Sequence, residues 1–415
     1  MKRFGFALLA LCALLAGCDG VGSAIDGDYD LSGREGGFVA GDGGGLSGDV
    51  SGDDPGTEPG GNSNAGRVTA GEWNDLDNWD FWGKLMTGQD FADKSSYWKF
   101  YTNNRVAVRA VDSDGKPVPG VKVSLERGSS KVWTAVTDNS GCAELWIGLF
   151  QKTENVDSSE FTLKLDGVAR EEELLISGWD CPNGARVNQY TVPTAPTVKS
   201  QADIAFIVDA TGSMGDEIDF LKDDLLDILR KTQAENSALT FRTSALFYRD
   251  DDGPGFGNDK YVTRYQDFTT DFTATTAFIS KQQASDGGDY SEAVHTALEK
   301  SLSGLSWDKS AKTRLAFMLL DAPAHQDHKG VVESLQKSIQ SFSERGIKLI
   351  PIAASGVDKN TEFMLRFFAA TTGGTYVFIT NDSGIGGDHI EASVGDYEVE
   401  LLNELILRLI GKYTK

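Results

Sequence analysis

The segment Asp209-Ala210-Thr211-Gly212-Ser213-Met214 places three hard oxygen donors, one carboxylate and two hydroxyls, at alternate positions. At the turn from a strand into a helix, such a run lets all three converge on one point. One carboxylate with two hydroxyls suits Mg²⁺ or Mn²⁺ at about 2.0–2.2 Å, leaving coordination positions for water or a ligand. The same residues taken alone would also serve as a helix cap beside an acid. Three later segments argue for chemistry: Tyr248-Arg249-Asp250, Gly287-Gly288-Asp289-Tyr290-Ser291-Glu292-Ala293-Val294, and Leu319-Leu320-Asp321-Ala322-Pro323-Ala324-His325.

These segments need strand ends and helix starts to hold them, and the surrounding pattern supplies both. Short β-type runs at Ile204 to Val208, Leu239 to Tyr248, Leu315 to Leu320, Ile347 to Ala353 and Thr375 to Thr380 alternate with helical stretches. One stretch carries Ile218, Leu221, Leu225 and Ile228 on a single face; others are expected around 291–303, 331–344 and 360–371, with a closing helix through Leu401, Leu405 and Leu409. Near-continuous apolar strands separated by amphipathic helices predict a doubly wound α/β sheet with parallel strands. Ligands of such sheets lie beyond the carboxyl ends of the strands, where the Asp209 motif falls.

The Asp209 motif resembles the opening of the metal-ion-dependent adhesion site of von Willebrand factor type A domains, in an Asp-x-Thr-Gly-Ser-Met form. With the other three segments in order, residues 201–415 look like the A domains associated with alpha-kinases and hemicentins. The resemblance implies a metal site of Asp209, Thr211, Ser213, Asp289 and Asp321, holding Mg²⁺ in the first instance, or Ca²⁺ or Mn²⁺, and engaging a protein partner. By that resemblance Asp289 stands where integrin-type domains carry a threonine, and Asp321 is the distal carboxylate. Three ionised acids around a doubly charged ion leave the site negative. Tighter metal binding and weaker attraction to an acidic partner residue are therefore expected.

Other chemistry finds less support. His325 and His328 bracket Asp327, but His-x-x-His on a loop lacks the helical spacing of zincins, and a zinc site is set aside. Asp250, Asp251 and Asp252 before Gly253-Pro254-Gly255 read as a solvated acidic turn in preference to a calcium loop. Neither a Gly-x-Ser-x-Gly elbow nor a phosphate-cradling glycine-lysine loop is present, so the expectation is a binding protein and not an enzyme.

The N-terminal half has a different character. Lys2 and Arg3, the apolar run Phe4 to Ala16 and the sequence Leu15-Ala16-Gly17-Cys18 form a secretory signal too short to span a bilayer. Leu-Ala-Gly-Cys resembles the bacterial lipobox, which implies acylation of Cys18 and a membrane anchor, with the leaflet left open. Residues 19–66, dominated by Gly, Asp and Ser, are expected to be an acidic tether; Asp26, Asp28 and Asp30 alternate there, but Leu31 and Gly37 spoil an EF-hand loop. Residues 67–100 hold Trp73, Trp79, Trp82 and Trp98, as a flap packed on the next domain or as an exposed carbohydrate-stacking platform. Residues 101–195 alternate as strands around Asp114-Gly115-Lys116-Pro117-Val118-Pro119-Gly120 and Asp138-Asn139-Ser140-Gly141, predicting a small β-sandwich. That layout resembles carboxypeptidase regulatory-like and immunoglobulin-like modules, usually spacers or scaffolds. Cys142 and Cys181 fall in it as a possible disulfide.

Taken whole, 415 residues with 40% hydrophobic content suit two packed cores plus unstructured extras. A net charge of −23, from 39 basic and 62 acidic residues, opposes nucleic acid binding. The expectation is a lipid-anchored extracytoplasmic protein of the cell membrane or outer surface: tether, β-sandwich, then an A domain that captures a protein through a metal. The alternatives are a structural envelope lipoprotein whose metal only stabilises the fold, and a carbohydrate binder led by the tryptophans.

Overall fold

A computed structural model describes residues 68–181, 184–250, 260–383 and 389–415. The signal segment, Cys18 and the acidic tether lie outside the described residues. Pro59–Lys415 form one compact unit. Among the described residues no helix is long and apolar enough to cross a membrane.

The tryptophan-rich lead segment forms strand β1 (Thr69–Trp73) and helices α1 (Trp79–Thr87) and α2 (Gln89–Trp98). Trp79, Trp82 and Trp98 are at most 1% exposed. This corrects the carbohydrate-platform alternative, because a sugar ring stacks only on an indole face that solvent can reach. Each buried indole N–H finds an acceptor: Trp79 donates to the Gly178 carbonyl at 2.8 Å, Trp82 to Thr102 at 2.8 Å and Trp98 to Asn360 at 2.8 Å.

Residues 105–191 form two small sheets. One has three strands, β2 (Arg105–Val111), β5 (Cys142–Trp146) and β8 (Val187–Thr191), in the order β5-β2-β8. The other has four, β3 (Lys122–Arg127), β4 (Ser130–Val136), β6 (Phe161–Leu165) and the short β7 (Val168–Ala169), in the order β4-β3-β6-β7. Val106, Val108 and Ala110 of the first share a core with Val123 and Leu125 of the second. Cys142 and Cys181 are both free thiols, so the disulfide considered from the sequence is not formed. The reason is register: Cys142 pairs across from Arg109, whereas the segment leading to Cys181 pairs at Arg105 through Ser177. Those points lie four residues, about 13 Å, apart along β2.

The α/β part begins with β9 (Lys199–Asp209), followed by α3 (Gly215–Glu235), β10 (Thr240–Tyr248), β11 (Thr263–Thr269), α4 (Phe272–Ile279) and α5 (Val294–Gly304). It continues with β12 (Ala311–Leu320), α6 (Val331–Glu344), β13 (Lys348–Ala353), α7 (Lys359–Thr372), β14 (Tyr376–Ile379), β15 (Glu400–Leu401) and α8 (Leu402–Thr414). The sheet order is β11-β10-β9-β12-β13-β14-β1-β15, with β10, β9, β12, β13 and β14 mutually parallel. β1 joins antiparallel to β14, with Ala70 opposite Ile379 and Trp73 opposite Tyr376, so this sheet takes a strand from outside residues 201–415.

Strand side chains alternate between two cores, as a period of two requires. Ile204, Phe206 and Val208 pack with Ile218, Leu225 and Leu405 on one face; Ile207, Met318 and Leu349 pack with Leu298, Leu335 and Phe363 on the other. The second core runs on without a break into the small sheets and the lead segment. Trp133 of β4 donates to Ser343 of α6 at 2.9 Å, and Trp82 and Phe100 stack on Phe363 and Phe367 of α7. The β module is thus docked on the α/β layer.

Candidate metal centre at the strand ends

β9 lies between β10 and β12, and successive connections leave it in opposite directions across the sheet, which creates a crevice beyond its carboxyl end. Asp209 closes the strand there, fully buried. Its Oδ1 accepts from the Thr211 backbone N–H at 2.9 Å and from the Thr211 hydroxyl at 2.8 Å, which folds the loop tightly and aims both side chains the same way. Ser213, in the single helical turn that precedes α3, remains exposed. Asp321 arrives from the end of β12.

The loop before α5 is pinned against this turn. Gly212 N–H donates to the Asp286 carbonyl at 3.0 Å, and Ser285 N–H to the Ala210 carbonyl at 3.0 Å. Asp286 and Gly287 then take positive φ values of 68° and 103°. At Gly287 that backbone strains any L side chain, although a Cβ would meet Thr211 and Glu292 only at ordinary contact distance, so it is the positive φ that favours glycine there. Arg249 braces the loop from β10, donating to Asp286 at 2.8 Å and to the Ala210 and Gln283 carbonyls.

The structure brings Asp209, Thr211, Ser213 and Asp321 together but places Asp289 differently. Asp289 is exposed, and its carboxylate groups with Asp250 and His325, the ligand atoms lying within 4.8 Å of one another. The acid packed by Thr211, Asp209 and Asp321 is Glu292, held by its backbone N–H to the Pro323 carbonyl at 2.8 Å and by a bridge to Ala324. Sequence reasoning missed Glu292. Its only signal was the Asp-x-x-Glu spacing within the glycine-led segment, and nothing in that spacing says which acid turns inward.

Electrostatics mark the cluster. Burial first, and then the charges of Asp209, Asp250 and Asp321, push Glu292 up to about 10. Burial and the neighbouring Asp321 raise Asp209; burial also raises Asp321, opposed by the Ser213 hydroxyl. Glu217, in the first turn of α3, is raised by burial too, although Ser355 donates to it at 2.9 Å. Asp209 Oδ2, Asp321 Oδ1, Glu292 Oε2 and Glu217 Oε2 are buried and accept no hydrogen bond. Buried carboxylate oxygens normally have a donor or a cation. Hard anionic oxygens beside two hydroxyls fit a divalent cation, and the residues present therefore suit the ion implied by the motif.

Residues 203–381 match the von Willebrand factor A domain family. This part of the chain is a von Willebrand factor A domain. Its parallel sheet and flanking helices carry the expected architecture. The chain is also similar in structure to the pilus adhesin SpaC of Lactobacillus rhamnosus GG in its open conformation, at 12% identity over 42% of this chain and 27% of that one, with a TM-score of 0.32. This chain thus spans about a quarter of the adhesin's length. A second similar structure is an aerotolerance-related membrane protein from Bacteroides fragilis carrying multiple mutations to serines, at 12% identity over 51% of this chain and 99% of that one, with a TM-score of 0.30. No curated protein matches the chain.

Proposed function

We propose that the A domain is a non-enzymatic binding module that engages a protein partner through a divalent cation, Mg²⁺ first and Ca²⁺ or Mn²⁺ as alternatives. Asp209, Thr211, Ser213 and Asp321 would hold the ion, with Glu292 as a further acid. The ion would supply positive charge at the exposed end of the crevice, where a partner side chain completes its coordination. The observation that carries this reading is the convergence of orphaned, buried carboxylate oxygens at the end of β9. A-domain membership supports a binding role, since such domains usually serve as binding modules.

Glu292 sharpens the choice of partner. With Asp209, Asp321 and Glu292 ionised around a doubly charged ion, the centre stays negative and draws acidic partner groups weakly. Partners contributing a neutral oxygen are favoured. The Leu15-Ala16-Gly17-Cys18 segment supports export and lipid attachment at Cys18, with the docked lead segment, β module and A domain displayed as one body outside the cytoplasm.

The test is calorimetry of Mg²⁺, Ca²⁺ and Mn²⁺ into the full chain, with Asp209→Ala as control, followed by a partner search with and without chelator. Binding by the parent chain and its loss in the variant are expected. Equal behaviour of the two would overturn the metal centre, and metal binding without any chelator-sensitive partner would favour a purely stabilising ion.

A further inference from the structure

A second cluster of donors lies beside the first and is chemically unlike it. His325, two per cent exposed, sits just beyond β12 and its Nε2 lies 2.8 Å from Asp250 Oδ1 at the end of β10. The Asp250 side chain is equally hidden, at three per cent. The exposed Asp289 brings a third donor atom within 4.8 Å of both. The three come from positions 250, 289 and 325. They meet because β10 and β12 flank β9, and because the bridge between Glu292 and Ala324 ties the loop carrying Asp289 to the loop carrying His325. The ring of His328 stacks on that of His325, centroids 4.3 Å apart and planes 2° from parallel, which fixes the imidazole's orientation.

We infer that His325, Asp250 and Asp289 form a second metal site, selective for a borderline transition-metal ion such as Zn²⁺. One imidazole nitrogen and two carboxylates, one of them open to solvent, make a three-ligand set with a position left for water or an incoming group. The hydroxyl-and-carboxylate centre at Asp209 suits harder Mg²⁺. Zinc would replace the direct contact between His325 Nε2 and Asp250 Oδ1 with metal–ligand bonds to the same two atoms. The sequence sets zinc aside because His325 and His328 lack the helical spacing of zincins; the fold groups His325 with Asp327 and His328 and also with Asp250 and Asp289, 75 and 36 positions away in the chain. This inference goes beyond the proposed function and does not depend on it, since the two sites use different residues.

Zn²⁺ titrated calorimetrically into the full chain in saturating Mg²⁺ tests it. The parent chain should take up one equivalent of Zn²⁺ that Mg²⁺ does not displace. His325→Gln should weaken that uptake about tenfold or more while Mg²⁺ binding persists. Asp209→Ala should do the reverse. Asp289→Asn, on an exposed side chain, should weaken zinc with an unchanged melting temperature, so that a folding defect in the histidine variant does not decide the matter. Absence of zinc uptake by the parent, unaltered uptake in both variants, or its loss in Asp209→Ala would each overturn the second site. Loss of Mg²⁺ binding alone would count only against the first.

Discussion

Two regions of this protein bury carboxylates, and they do so in opposite ways. Behind the sheet, Asp75 and Glu362 meet Arg366, which donates to Asp75 at 3.0 and 2.5 Å and to Glu362 at 3.3 Å, with all three side chains almost fully hidden. Lys359, Ser393 and the Trp73 indole complete the set, and Arg366 also lies 5.1 Å over the Trp82 ring. Nearly every charge there has its counterpart within the chain. At the strand ends, Asp209, Asp321, Glu292 and Glu217 are as deeply placed but each keeps an oxygen with no donor. Removing a carboxylate from water costs several kcal/mol unless something compensates it. The first region is compensated from within and holds the lead segment to the A domain. The second keeps buried oxygens that nothing within the described residues compensates.

The strongest way to break the contrast is to cut the chain. A fragment of residues 201–415 lacks β1, Asp75 and Trp82, leaving Arg366 short of its main partner and β14 with an open edge. It should be insoluble or largely unfolded, whereas a chain starting at residue 59 should remain soluble and folded, as chromatography and circular dichroism would tell. A gentler version is Arg366→Leu, which strands Asp75 and Glu362 and should cost about 3–5 kcal/mol in urea denaturation.

At the other region the signs should differ. In the parent chain, Mg²⁺ at about a hundred times its dissociation constant should stabilise by about 2.7 kcal/mol, raising the melting temperature, and chelator should remove the gain. Asp209→Asn should abolish that gain while leaving the chelated protein at least as stable as the parent, because it deletes an uncompensated buried charge. Glu292→Gln should change metal-free stability by no more than about 0.5 kcal/mol, since Gln copies the protonated acid held up to about 10, yet weaken metal binding. A parent-like metal response in both variants would erase the distinction between the two regions.

The smallest effect concerns Cys142. Burial, with Asp138 and Glu144 alongside, pushes its thiol up to about 11. Only the thiolate alkylates, so iodoacetamide labelling of Cys142 should be slow near neutrality and rise about tenfold per pH unit until it levels near 11. Two equivalents of labelled thiol on the denatured, unreduced protein 59–415 would match two free cysteines; none would restore the disulfide.

Much of the A domain was legible because its signals are local. Ile204 to Val208 reads as a buried parallel strand, and the observed β9, β10, β12, β13 and β14 fall on the five expected runs. Helices at 331–344 and 359–372 lie almost where the periodicity puts them. Asp209, Thr211 and Ser213 were readable for the same reason, since a five-residue turn with two hydrogen bonds back to one carboxylate is specified by its own spacing. Tryptophan content alone could not say whether the indoles of residues 79–98 face sugar or core.

The sequence by itself therefore determined the parallel strands, the hydroxyl-and-acid turn at the end of β9 and the acidity of its surroundings. Tertiary structure decided which acid completes the turn, turning Glu292 inward and Asp289 toward His325. It also brought β1 in from some 300 positions away to pair with β14. The physical reason is range: periodicity and turn chemistry act over a few residues, whereas the direction of a side chain on a pinned loop, and the partner of an open strand edge, depend on packing between segments that the chain order does not place together.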